Sequence, residues 1–184
     1  YGMGLTMTHG KHLNSEAVLA LVRDMNAYTR FVARAMRAGG NVIGADNVLT
    51  WQTGYPFGVN LSRGYPRFNP GEYTAADMLA RGEADAAMIL SGDPMSDFAR
   101  AACERLAAIP CISLDFKETP TSRAATVAFT TATYGVNTAG TVYRMDDVPI
   151  PLRPALESHH PSDVEVLLGI ERRVKQLKAV ARIP

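Results

Sequence analysis

The sequence predicts an α/β protein with doubly wound, mostly parallel sheets, and three observations carry that reading. Ala84-Asp85-Ala86-Ala87-Met88-Ile89-Leu90 is an apolar run of strand length that ends in Ser91-Gly92-Asp93-Pro94. An amphipathic helical pattern follows from Asp97 to Ala107, and then a second short apolar strand from Pro110 to Asp115. Strand, Gly turn, helix and strand in about thirty residues make a βαβ unit, and such continuous apolar strands are those of a sheet buried on both faces.

The remaining elements follow in order. Leu5 and Met7 alternate with polar neighbours, which predicts a strand over Gly4 to His9 and a turn at Thr8-His9-Gly10. A helix is expected from Ser15 to about Asn26, with Val18, Leu19, Leu21, Val22 and Met25 on one face. Phe31 to Met36 alternates as a buried strand would. Between Met36 and Glu72 the chain is crowded with Gly, Asn, Pro, Tyr and Arg and lacks sustained periodicity. Connections that long bind something or are disordered, and the aromatics argue against disorder, so an ordered functional or interface segment is expected. Thr74 to Arg81 reads as a short helix stopped by Gly82. The tail opens on a capping box, Ser162 with Glu165, and gathers Arg172, Arg173, Lys175 and Lys178 toward its end, where cations suit the helix dipole. Its stripe of Val164, Leu167, Leu168, Val174 and Leu177 faces its own domain in preference to a partner.

With 184 residues and 47% hydrophobic content, the chain can build one substantial core. A net charge of +1 without a long single-sign block excludes a nucleic-acid groove and a membrane-surface helix, leaving small molecules and protein partners. No run reaches the roughly eighteen apolar residues of a membrane span, and the N-terminus lacks a secretion-signal layout, so a cytoplasmic location is expected. Tyr1 in place of an initiator Met, followed at once by a strand pattern, predicts the later part of a longer polypeptide. Cys103 and Cys111 form no Cys-x-x-Cys pair and read as buried small hydrophobes. These residues encode no iron-sulfur or zinc ligand set.

In an open α/β sheet ligands bind beyond the carboxyl ends of the strands. Three turns lie there: Thr8-His9-Gly10, Ser91-Gly92-Asp93-Pro94 and the stretch from Leu114 to Thr119. Each offers backbone N–H groups, a hydroxyl or a carboxylate of the kind that takes phosphate, ribose or a purine edge. None contains Gly-x-Gly-x-x-Gly or a Walker sequence, which argues against an ordinary NAD or ATP site. Asp93-Pro94 serves equally as a helix-initiating turn, and His9 either bonds a phosphate or caps its own turn. His159-His160 reads as solvated surface. Arg37, after a predicted buried strand and before Gly39-Gly40, can hold positive charge over a carboxylate or developing oxyanion, or form a structural salt bridge.

Several longer motifs carry a resemblance. Arg37-x-x-x-Asn41-Val42-x-Gly44, preceded by Leu5-Thr6-Met7-Thr8-His9-Gly10, resembles the middle of molybdopterin-dependent formate dehydrogenases. Trp51 to Phe57, Ser62 to Glu72 and Gly140 to Asp146 resemble the B subunits of formylmethanofuran dehydrogenases, and the likeness covers nearly the whole chain. The resemblance implies domains like the second and third of formate dehydrogenase and DMSO reductase. Residues 1–73 would belong to a first α/β domain with the long aromatic loop, 74–124 to a second, Rossmann-like one, and 125–184 to a return to the first plus the C-terminal helix.

The resemblance also implies a molybdopterin guanine dinucleotide with tungsten or molybdenum, and partner subunits that take formate onto methanofuran. Arg37 would be the active-site arginine, with Thr8, His9, Asn41, Gly92, Asp93, Asp115 and Thr119 at the cofactor. The metal's Cys or Sec ligand and the cluster cysteines would lie upstream of Tyr1. Three departures stand out: Arg37-Ala38 for Arg-Gly, Ala125-Thr126-Val127-Ala128-Phe129-Thr130 for a strand with Asp and Pro, and Asn137-Thr138 where an acid is usual. They favour a second branch, the B subunit of bacterial formyltransferase/hydrolase complexes, a scaffold without metal in which the cofactor is lost. The alternative is the catalytic metal-pterin subunit.

Overall fold

The computed structural model describes residues 1–5, 7–36 and 39–180. A 3-10 turn at Met3–Leu5 leads into α1, Lys11–Met25. The strand expected over Gly4 to His9 is absent from the described part of that segment, whose backbone bonds are local: Leu5 N–H donates to Gly2 O, and Lys11 N–H to Thr8 O. Helix α1 starts four residues before the predicted Ser15, because Asn14 lies inside it and donates back to Leu5 O at 2.9 Å and Thr8 Oγ1 at 2.6 Å. The buried strand expected over Phe31 to Met36 does not form: the segment is mostly exposed, and Met36 N–H and the Tyr1 amino group donate single bonds to Tyr1 O and Arg34 O. Alternation alone supplied no adjacent strand to pair with.

The segment expected to be aperiodic contains helix α2, Val42–Thr53, bounded by Asn41 at φ 57° and Gly54 at φ 85°. Its residues are apolar around much of the circumference, so no stripe marks it in the sequence. The antiparallel hairpin of β1, Val59–Asn60, and β2, Arg67–Phe68, follows. Tyr55 stacks on Phe68 at 5.1 Å and Phe57 meets the same ring edge-on at 5.6 Å. Arg67 donates to Tyr73 Oη, Asn60 Oδ1 and Ser62 Oγ. The loop is thus ordered by its own aromatics, as its composition predicted.

The predicted βαβ unit is present. After α3, Ala75–Ala80, come β3, Ala87–Leu90, α4, Pro94–Asp97, α5, Arg100–Ala108, and β4, Cys111–Asp115. Then α6, Pro120–Ala124, leads to β5, Val127–Thr130. The sheet order is β3-β4-β5, all parallel, with Ile89 beside Ser113 and Ser113 beside Ala128. The helix predicted from Asp97 breaks at Phe98, whose extended backbone separates α4 from α5. Leu79, Ala102, Leu106, Ile109 and Cys111 form the core between α3, α5 and one face of this sheet. Burial pushes the Cys111 thiol pKa up, and Cys103 Sγ lies near the carbonyls of Pro94 and Phe98. Leu106→Ala is expected to cost about 2–5 kcal/mol through lost contacts and the cavity left behind, read as a lowered chemical-denaturation midpoint.

An antiparallel pair, β6, Gly140–Tyr143, and β7, Pro149–Leu152, precedes α7, Asp163–Val180. The capping box forms: Glu165 Oε2 accepts from Ser162 N–H at 2.7 Å and Glu165 N–H donates to Ser162 Oγ at 3.2 Å. The expectation that α7 packs on its own domain is overturned, since none of its residues is buried and Leu168, Val174 and Leu177 are exposed. An apolar stripe shows that a helix wants cover, not which surface covers it. No helix among the described residues is long and apolar enough to cross a membrane.

Candidate functional site

The carboxyl ends of β3 and β4 meet in one cluster. Ser91 N–H donates to Leu114 O, which seats the turn after β3 against the end of β4. The turn is made at Ser91, whose φ is 49°, and Gly92 and Asp93 follow. Its Oδ1 accepts from Thr121 N–H at 3.0 Å and Thr121 Oγ1 at 2.6 Å, and its Oδ2 from Ser96 Oγ at 2.5 Å. Thr121 Oγ1 in turn accepts from Met95 N–H. Desolvation raises the Asp93 pKa, but the bonds from Ser96 and Thr121, helped by the charge of Arg123, outweigh it and hold the carboxyl below its ordinary range. Asp93 therefore ties α4 to α6, and its acceptor sites are largely filled by the protein.

Thr119 caps α6: its Oγ1 accepts from Ser122 N–H at 3.1 Å while Ser122 Oγ accepts from Thr119 N–H at 2.8 Å. Asp115 is different. It is buried at the last position of β4, and among the described residues its carboxylate receives a single long bond, from Lys117 N–H at 3.4 Å. Beside it opens a pocket of about 230 Å3 lined by Asp115, Lys117, Glu118, Ser122, Arg123 and Thr130. Arg123 pairs with Glu118 at 2.8 Å in an exposed contact of little energetic weight. The pocket offers two cations, one of them paired with Glu118, a buried carboxylate, and the hydroxyls of Thr130 and of Ser122, the latter already bonded to Thr119.

A second locus approaches the first through aromatic rings. Asn41 Nδ2 donates to Thr141 O at 3.0 Å and its Oδ1 accepts from Tyr143 N–H at 2.8 Å, so one side chain bonds β6 as a neighbouring strand would. Gly44 leaves room for that amide: a Cβ there would stand 2.4 Å from Asn41 Oδ1. A Cβ on Gly40 would stand 2.4 Å from Tyr134 Cε2. Tyr134 meets Phe116 edge-on at 5.7 Å, and the Lys117 ammonium lies 5.6 Å from the Phe116 ring centre. Gly40 is thereby linked through Tyr134 and Phe116 to the turn that bears Asp115. Trp51 packs edge-on to Tyr143 at 6.2 Å, fixing α2 to β6 from the other side.

Of the sequence-predicted residues, Gly92, Asp93, Asp115 and Thr119 share the strand-end cluster, while Asn41 bonds β6 and is only the chain neighbour of Gly40, which Tyr134 closes over. Thr8 bonds Leu5 O and Asn14 instead, and His9 is exposed beside it. Arg37 lies outside the described residues. His159 and His160 are exposed. The sequence reading held Lys117 only as part of the turn from Leu114 to Thr119 and missed Thr121, Arg123 and Tyr134. Thr121 stands two residues from a position it chose, and an isolated Tyr between two turns carried no signal.

No family model matches the chain. It is 46% identical over 179 residues to the B subunit of tungsten-containing formylmethanofuran dehydrogenase 2 from Methanocaldococcus jannaschii, covering 96% of this chain and 41% of that protein. To the protein of the same name from Methanococcus maripaludis it is 41% identical over 180 residues, covering 97% and 42%. The B subunit of the formyltransferase/hydrolase complex Fhc of Methylorubrum extorquens is 33% identical over 82 residues, 45% of this chain and 23% of that one. The crystal structure of the M. extorquens formyltransferase/hydrolase complex (FhcABCD) with methylofuran contains the same fold, at a TM-score of 0.72 and 24% identity over 92% of this chain and 47% of that one. The chain spans about two fifths of the length of the curated dehydrogenase relatives. Along nearly its whole length it is homologous to a region of the B subunit of formylmethanofuran dehydrogenase.

Proposed function

We propose that the chain is part of a catalytic B subunit that holds a tungsten or molybdenum bis-pterin guanine dinucleotide and, with its partner subunits, interconverts carbon dioxide and formate for methanofuran formylation. The observation that carries this reading is the pocket beside Asp115. A buried carboxylate with an unfilled acceptor side, flanked by Lys117 and Arg123, is a donor set that fits a guanine nucleotide's base edge and phosphates. Asp115, Lys117, Arg123 and Ser122 would hold the nucleotide end, with Thr119, Asp93 and Gly92 shaping the turns around it. Such a cofactor supplies the two-electron chemistry when bound. Arg37 would steady the carboxylate of formate as charge shifts. The formate-dehydrogenase-like arrangement, with its division at 73 and 124, belongs to this same reading.

The scaffold reading, a B subunit of a formyltransferase/hydrolase complex without metal, is favoured by Trp51, Phe57 and Tyr65, which stay exposed on the aromatic segment as an intersubunit contact would. The longer and higher match to the tungsten-containing relatives supports the catalytic reading over it. The complex purified with this chain is expected to contain stoichiometric tungsten or molybdenum and to release guanine nucleotide on acid treatment. Lys117→Glu combined with Arg123→Glu should lower the released nucleotide at least tenfold while leaving far-ultraviolet circular dichroism unchanged. A complex with neither metal nor guanine nucleotide removes the catalytic reading and leaves the scaffold.

A further inference from the structure

Helix α7 changes character at its middle. Val164, Val166, Leu167, Leu168 and Ile170 spread apolar surface over a broad arc of its first half, where Leu167 is half-buried and lines a cleft of about 990 Å3 with Val48, Trp51 and Leu90. From Glu171 to Val180 every residue is exposed. The apolar surface there narrows to a line through Val174 and Leu177, 42% and 53% exposed, which continue the spacing of Leu167 and Ile170 in steps of three and four residues. These are the a and d positions of a heptad, and the e and g positions from 171 to 178 carry Glu171, Arg173 and Lys178. A helix covered by the interior of its own domain carries a broad apolar arc, whereas a strict a and d stripe is the seam that meets one other helix. Helical segments shorter than about 12–15 residues also hold together poorly by themselves in water, so the exposed half is stabilised by whatever covers it.

We infer that the exposed half of α7 docks an acidic amphipathic helix of another subunit of the complex, whose apolar residues cover Val174 and Leu177 and whose carboxylates lie beside Arg173 and Lys178. Charge selects that occupant. Glu171 is paired with Lys175 at 2.5 Å, whereas among the described residues Arg173 reaches Gln176, at 3.4 Å, and neither Arg173 nor Lys178 has an acidic partner. Four cations, Arg172, Arg173, Lys175 and Lys178, thus stand on this half against the single acid Glu171. A second copy of the chain is disfavoured by the same charges. An antiparallel pair that sets Leu167 opposite Leu177 and Ile170 opposite Val174 brings Glu171 to its own copy and Arg173 to its own copy, and a parallel pair brings Arg173 to Lys178. A membrane surface suits the segment less well, because its seam holds no Trp or Phe and Glu171 lies on its edge. Neither the nucleotide proposed for the pocket beside Asp115 nor the reaction of the complex enters into this docking.

The test uses the complex purified with this chain. A water-soluble carbodiimide, which condenses an amine with a carboxylate only where the two touch, is expected to join Lys178 to an Asp or Glu of another subunit, read by peptide mass spectrometry. Backbone amides of residues 174–180 should exchange with deuterium at least tenfold more slowly than in the complex carrying Arg173→Glu together with Lys178→Glu. If that variant complex does not assemble, the cross-link in the unaltered complex decides alone. Cross-links of Lys178 confined to carboxylates of its own polypeptide, or cross-links to a second copy of the chain in a complex of mixed isotopic label, would each overturn the inference. So would the absence of any cross-link outside the chain, whether or not the complex co-sediments with phosphatidylglycerol vesicles.

Discussion

Gly44→Ala is expected to destabilise the protein by about 2–4 kcal/mol, far more than an alanine inside a helix normally would, since alanine is the better helix former. The cause is spatial. The new Cβ would fall 2.4 Å from Asn41 Oδ1, inside contact distance, and the obstructing atom belongs to an amide held at both ends by β6. The helix can form only if the amide leaves, which frees Thr141 O and Tyr143 N–H at the same moment. Each lost bond is worth about 1 kcal/mol, more where the freed group stays buried. Asn41 also sits at φ 57°, a left-handed conformation that Asn tolerates better than most residues. Asn41→Ala should therefore be costly by itself, and the two changes should not add. A double-mutant cycle monitored by urea denaturation checks this: in the Asn41→Ala background Gly44→Ala should cost almost nothing. Full additivity would mean that Gly44 is needed for some other reason.

This pair shows where sequence reading succeeded and where it stopped. The spacing Asn41-x-x-Gly44 was visible as a motif, but its meaning depended on residues 141 and 143, a hundred positions away. The βαβ unit from Ala87 to Asp115 was legible because its signals are local: apolar runs, Gly82, and the Asp93-Pro94 turn. Helix α2 was hidden because a helix apolar on most sides shows no stripe, and the strand assigned to Gly4–His9 failed because alternation describes one strand while a sheet needs two. The same division holds at the candidate site. Asp93, Asp115 and Thr119 were selected by their place after strands, and they do lie together. What separates Asp115 from Asp93 is chiefly the pair of bonds that Asp93 accepts from Thr121, 28 residues away, which no local pattern encodes.

Asp93→Ala is expected to loosen α4 from α6 and cost about 3–5 kcal/mol, because it strands the N–H and hydroxyl of Thr121, a residue with 1% of its surface exposed. A buried donor left unpaired costs about 1–3 kcal/mol, and the bonds here are to a charged acceptor, the stronger kind. Asp93→Asn keeps one oxygen for Thr121 and should recover part of the loss. The pH dependence identifies the charge. The folded-state pKa of Asp93 lies below the ordinary aspartate value of 3.8, so its contribution is complete above that value and is lost as pH falls from there through the depressed folded pKa. Urea midpoints measured from pH 7 down to the acid limit should fall more steeply in the native chain than in Asp93→Asn, with the two curves parallel above about pH 5. Parallel curves over the whole range would show that the carboxylate's charge adds nothing to the joint. In that case Asp93 would be free to change protonation without moving α6, and Ser122 and Arg123, which α6 carries into the pocket beside Asp115, would be positioned by packing alone.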